Sequence, residues 1–176
     1  MTDPAVLHAM ILLAAATALL FAAVHDLAVR TVPNLVSLIV ATAGVALHAL
    51  DGQLGPALFG GGLVFAGAWY CWRRGWIGGG DVKLLSACAL LVPPASVPEL
   101  VLSTAIAGAV LALLYLALGV ALARRLPGGA APRPTGLLGR IWRAERRRIR
   151  RRLSLPYACA ISAGVLLTLF VGVPFG

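Results

Sequence analysis

Two aspartates carry the chemistry available to this sequence. The chain has six acidic residues, and Asp81 lies in the string Ile77-Gly78-Gly79-Gly80-Asp81-Val82-Lys83-Leu84-Leu85, at the mouth of a hydrophobic run. A carboxylate at the centre of a membrane helix costs roughly 2.5–3.5 kcal/mol, so ionisable residues beside apolar spans usually serve a function. Asp26 stands at the end of an earlier apolar run and makes a pair with it. Two carboxylates sharing one site do not comfortably both ionise, and one of them keeps a proton near neutral pH. The ionised member can then take a proton from water while the protonated member donates to a peptide carbonyl. That is general acid–base hydrolysis with no covalent intermediate and no metal or other cofactor.

The flanking residues suit such a site. Asp26 is followed by Val32-Pro33-Asn34, and the residue before a proline avoids helical backbone, so the first helix is expected to end near His25–Asp26. Asp81 follows three glycines, which allow another chain to approach closely. Gly78 to Gly80 can present bare backbone to an extended substrate segment in strand-like pairing. The bland reading of each aspartate is a lone interfacial charge. Asp26 has Arg30 one turn on, whereas Lys83, two positions from Asp81, does not share its helix face.

These residues need elements to hold them. The chain of 176 residues is 60% hydrophobic and 12% charged, with a mean hydropathy of +0.93, against about 25% charged residues in a water-soluble domain. Composition therefore indicates one all-α, membrane-embedded domain over residues 1–176. Spans of about 20 apolar residues parse into six helices: Ala5–Val24, Leu35–Leu50, Leu54–Trp72, Leu84–Val97, Leu100–Ala123 and Leu153–Phe175. The fourth reaches full length only if it starts near Ile77, which draws Asp81 and Lys83 to the membrane boundary. Pro156 falls in the first turns of the sixth. No Lys or Arg precedes Arg30, so the first run reads as a retained span rather than a secretory signal.

Charge sorts this topology. With the N-terminus outside, the inner segments 25–34, 73–83 and 124–152 hold one, three and eleven Lys/Arg, which accounts for all fifteen. The outer segments carry Asp3, Asp51 and Glu99 instead. A six-transmembrane-helix bundle with both termini outside follows. Small residues recur four apart in the third span (Ala57 and Gly61, Gly62 and Ala66) and the fifth (Ala105 and Ala109, Gly108 and Ala112), spacing that allows close helix packing in lipid. Cys71, Cys88 and Cys159 are scattered through apolar segments, form no Cys-x-x-Cys pair, and read as small hydrophobes.

The inner segment 124–152 opens with linker composition and continues from Leu138 as a candidate interfacial helix. One face is Leu138, Ile141, Trp142, Ile149 and Leu153, and arginines cover much of the rest. That pattern suits anionic lipid. Nucleic acid is disfavoured as a partner despite a net charge of +9, because the segment is tethered to the bilayer at both ends. Neutralising Arg146 to Arg152 is expected to alter membrane insertion or stability and to leave the catalytic rate within a few-fold.

The two aspartate contexts, in this order, resemble the bacterial type IV prepilin peptidases. Asp26 with Val32-Pro33-Asn34 resembles their first motif, and Gly78-Gly79-Gly80-Asp81-Val82-Lys83 their Gly-x-Gly-Asp motif. Leu155-Pro156-Tyr157-Ala158 resembles a third, Pro-aromatic-Gly stretch, with Ala158 in the glycine's place. The resemblance implies a membrane aspartyl endopeptidase of the short tight-adherence (Flp) form, with Asp26 and Asp81 catalytic. Gly78, Gly79, Gly80, Lys83, Pro33 and Asn34 shape the site or bind substrate. It would remove the basic leader from prepilins or pilin-like proteins at the inner face of the bacterial cytoplasmic membrane, beside pilus or secretion machinery. The paired cysteines of longer, methylating relatives are missing, so methyl transfer is not expected. The competing functions are a small proton-coupled transporter, for which His8, His25 and His48 supply no mid-span relay, and a secretion-system scaffold, which would tolerate Asp→Asn at both positions. Among proteases, archaeal preflagellin peptidases and presenilin-like enzymes come second.

Overall fold

A computed structural model of the chain describes residues 3–124 and 155–171. The basic segment and its expected interfacial helix lie, past Arg124, outside the described residues. Helix α1 (Pro4–Val29) opens on Asp3, whose Oδ1 accepts the Ala5 N–H at 3.0 Å, with Pro4 in the first turn. It runs past the expected end at His25–Asp26 and stops at Arg30, in the left-handed region at φ 63°. Pro33 restrains only Val32 before it, so the proline leaves the last turn around Asp26 intact. Helix α2 (Asn34–Leu50) then starts with Pro33 as its N-cap. A short turn leads to α3 (Leu54–Arg73).

Helix α4 (Gly79–Leu91) starts after Gly78, which is extended, rather than at Ile77, and stops before Pro93 and Pro94. A single 3-10 turn, Pro94–Ser96, carries the chain into α5 (Val97–Arg124), three residues earlier than hydropathy suggested. Helix α6 (Tyr157–Val171) begins just after Pro156, so that proline precedes the helix instead of sitting inside it. No strand occurs among the described residues.

Six full-length spans were expected; among the described residues three helical stretches are long and apolar enough to cross a membrane, Pro4–Val29, Leu54–Arg73 and Pro94–Leu118. Helices α2 and α6 are apolar but shorter, at 17 and 15 residues, and α4 has only 13. At 1.5 Å per residue α4 is about 20 Å long, short of the ~30 Å hydrocarbon core. Gly78 and the proline pair trim it at both ends.

The shortest helix is the most enclosed. Along α4, Val82, Leu84, Ser86, Ala87, Cys88, Ala89 and Leu91 are buried against α2, α3 and α6. Small residues permit these crossings: a side chain on Gly44 of α2 would collide with the Leu90 backbone, and one on Gly164 of α6 with the Thr104 backbone. Of the small residues noted in α3, Ala57 is buried and Gly61 faces Leu90, inside the bundle, while Gly62 faces open space. Ser103 Oγ donates to the Gly164 carbonyl at 3.0 Å and pairs with Thr168 Oγ1 at 2.9 Å, tying α5 to α6.

Alternation of the helices gathers the ends of α1, α3 and α5 with the starts of α2, α4 and α6. Arg30, Arg73, Arg74, Lys83 and Arg124, all the Lys/Arg among the described residues, belong to that end. Asp3, Asp51 and Glu99 belong to the other, where His8 Nε2 meets Asp51 Oδ1 at 2.9 Å.

Candidate active site

Asp26 sits on the last turn of α1 and is 6% exposed. The α1–α6 seam explains how its carboxylate is held. Ser162 Oγ donates to the Leu19 carbonyl at 3.1 Å, Cys159 Sγ to the Ala23 carbonyl at 3.4 Å, and one step further the Ala158 N–H donates to Asp26 Oδ2 at 3.2 Å. Ala158 is the second residue of α6, so one of the helix's first-turn donors, which have no partner within the helix, is spent on a carboxylate.

Asp81 stands on the third residue of α4 and reaches back to the start of its own helix, Oδ2 accepting the Gly78 N–H at 3.3 Å. The glycines before it serve space rather than unusual backbone. Left-handed glycines occur at Gly52 and Gly75, and none of Gly78 to Gly80 is among them. A Cβ on Gly78 would lie 2.9 Å from Asp81 Oδ2; on Gly79 it would touch the Trp72 indole, and on Gly80 the Val32 side chain, both at 3.4 Å. Gly79 and Gly80 are already helical, which corrects the expectation that Gly78 to Gly80 offer an extended edge; only Gly78 is extended.

Both carboxylates line one cavity of about 700 Å³ at the cationic end of the bundle, together with Arg30, Asn34, Lys83 and the Gly78–Gly80 backbone. Lys83 Nζ donates to Asn34 Oδ1 at 3.1 Å, which joins the two predicted motifs directly. Pro33 does not line the cavity; it caps α2 and so sets where Asn34 begins. Asp26 and Asp81 face the same hollow from different helices. Such a pair can polarise a water and protonate a carbonyl.

Three contributors were not legible as site residues. The Ala158 backbone was seen only as a departure from Pro-aromatic-Gly, because a main-chain donor leaves no mark in residue type. Arg30 was read as a possible charge partner; its guanidinium also reaches Tyr115 on α5, Nη2 donating to the hydroxyl at 3.4 Å, with Cζ 5.8 Å from the ring centroid. Tyr115 is a single polar tip inside an apolar run and gave no signal.

A model of the type IV leader peptidase family matches residues 13–113 of the chain, a stretch that holds both aspartates and stops short of α6. No curated protein and no solved structure matches.

Proposed function

The chain belongs to the type IV leader peptidase family, and on that premise we propose that it is an aspartic-type endopeptidase in which Asp26 and Asp81 activate water to remove the basic leader from prepilin-like proteins. The observation that carries this reading is the shared cavity: two carboxylates from distant segments line one hollow, each with a backbone N–H on its Oδ2. Asp81, sharing one cavity with the negative charge of Asp26, keeps the pair's proton and acts as the acid. Asp26, oriented by the α6 N-terminus, acts as the base. A water between them gives a proton to Asp26 as its oxygen attacks the scissile carbonyl carbon. Asp81 passes its proton to the carbonyl oxygen. The tetrahedral diol then collapses, the C–N bond breaks, and the proton on Asp26 goes to the departing amine. Proton return from the diol hydroxyl restores Asp81.

Gly78 keeps room around the Asp81 carboxylate, Gly79 and Gly80 shape the site against Trp72 and Val32, and Lys83 with Asn34 braces the cavity rim. The cationic end faces the cytoplasm of the bacterial cell, in keeping with the clustering of Lys and Arg there. Helices α2, α4 and α6 complete the membrane bundle as short spans between the long ones. Anionic lipid is the partner of the arginine-rich segment, and pilus or secretion machinery supplies the substrate.

Co-expression with prepilin-type proteins tests the reading, scoring leader loss by the mass of the product. Wild type removes the leader; Asp26→Asn and Asp81→Asn, at equal membrane abundance, do not. Cleavage by either variant refutes the assignment.

A further inference from the structure

A second hollow, about 770 Å³, runs beside the cavity along the lateral face of the bundle. Helix α4 is its floor, with Ser86, Ala87 and Leu90; α2 and α3 are its walls. Asn34 and Lys83 line this groove and the carboxylate cavity alike, so the two adjoin at the cationic end. Its walls carry exposed Leu38 and Phe65, yet Ala41, Gly61 and Gly62 also line it. Small residues in a lipid-facing concavity are what close approach of another helix requires.

We propose that this groove holds the apolar helix of the protein substrate, the segment immediately beyond the bond that is cut. The inference rests on the peptidase reading above and adds where the substrate lies. A leader on the aqueous side and a helix in lipid meet at the scissile bond, so the helical part must leave the carboxylate cavity along the membrane-facing side of the enzyme. The groove adjoins that cavity there, at Asn34 and Lys83. From Lys83 to Leu90 its floor is two turns, about 10 Å, enough to seat the first turns of a helix. The match of polarity supports the same division. A helix satisfies its own backbone and needs only apolar walls, whereas the extended leader segment meets the polar Asn34–Lys83 junction and the Gly78 backbone.

Two glycines of α3 make a clean test. A Cβ on Gly62 or on Gly67 meets nothing within 4 Å, so a leucine at either starts into open space, and of the two only Gly62 lines the groove. The full-length protein in proteoliposomes, acting on a membrane-embedded prepilin, should show for Gly62→Leu a KM raised about tenfold, the scale of one overpacked contact, with kcat and thermal stability as in wild type. Gly67→Leu should match wild type. A photo-cross-linker on Leu38→Cys, in an Asp81→Asn background, should capture the substrate's apolar segment. An unchanged KM for Gly62→Leu, a fall in kcat at constant KM, or capture of lipid alone overturns the proposal. A wild-type protein that cuts no prepilin overturns the peptidase reading, and the groove assignment with it.

Discussion

Gly78→Ala isolates the space around Asp81 from everything else the glycines do. Gly78 sits at φ −75°, ψ 149°, which alanine adopts freely, so the substitution introduces no backbone strain. Its methyl, however, would lie 2.9 Å from Asp81 Oδ2. Carbon–oxygen contacts settle at about 3.3 Å or more. The carboxylate must therefore retreat by about 0.4 Å or turn away from the Gly78 N–H, a bond already 3.3 Å long. The effect on folding is small. Losing such a hydrogen bond costs about 0.5–1.5 kcal/mol, and replacing glycine where alanine fits returns about 0.4–1 kcal/mol. Catalysis is far less forgiving, since a misplacement of about 1 Å costs about 100-fold. Roughly half that displacement predicts a kcat/KM about tenfold below wild type, with Tm within about 4 °C. Gly80→Ala is the companion, because its methyl would meet Val32 at 3.4 Å, an ordinary contact. It should stay within about twofold of wild type. Purified variants in proteoliposomes, with leader release followed by mass spectrometry and unfolding followed thermally, give both readouts. Gly78→Ala at wild-type kcat/KM would refute the idea that glycine there guards the carboxylate.

Ala158→Pro removes one donor, the N–H on Asp26 Oδ2, at a first-turn position where proline is tolerated. Hydrogen bonds to charged groups are worth about 1.5–3 kcal/mol, so kcat should fall about 10- to 100-fold while Ala158→Gly, which keeps the donor, stays near wild type; equal kinetics for the two variants would remove α6 from the site.

Much of the architecture was legible because it rests on patterns that composition and spacing record. Apolar runs marked five of the six described helices to within a few residues, and sorting of Lys and Arg to one end predicted which helix ends would meet. That alternation put Asp26 and Asp81 at the same end, while their meeting in one cavity is a tertiary fact that alternation leaves open. What the sequence hid was set by local backbone geometry and by tertiary contacts. Hydropathy saw a long fourth span starting at Ile77, but Gly78 is extended and Pro93–Pro94 closes the other end, so α4 has 13 residues. The glycine run suggested a flexible edge, whereas at Gly78 the nearby Asp81 carboxylate accounts for the missing side chain. The donor from Ala158 to Asp26 crosses from the last helix to the first, and no local pattern encodes that.

The shortness of α4 and the late start of α6 then acquire a common reason. A carboxylate enclosed by an apolar bundle needs compensation, and a cation locked against it would pin it in the ionised state. Here each catalytic candidate receives a main-chain N–H at a helix N-terminus, Gly78 for Asp81 and Ala158 for Asp26. The Lys83 ammonium is meanwhile turned to Asn34. At Asp81 a backbone donor orients the carboxylate without fixing its charge as firmly as an ion pair would, so a proton can still come and go. Helices reaching the full depth of the membrane would carry their first-turn donors past the level of the cavity. Trimming α4 at Gly78 and starting α6 after Pro156 brings those donors to the carboxylates, and the groove left open beside α4 is the space through which a membrane-embedded helix can reach them.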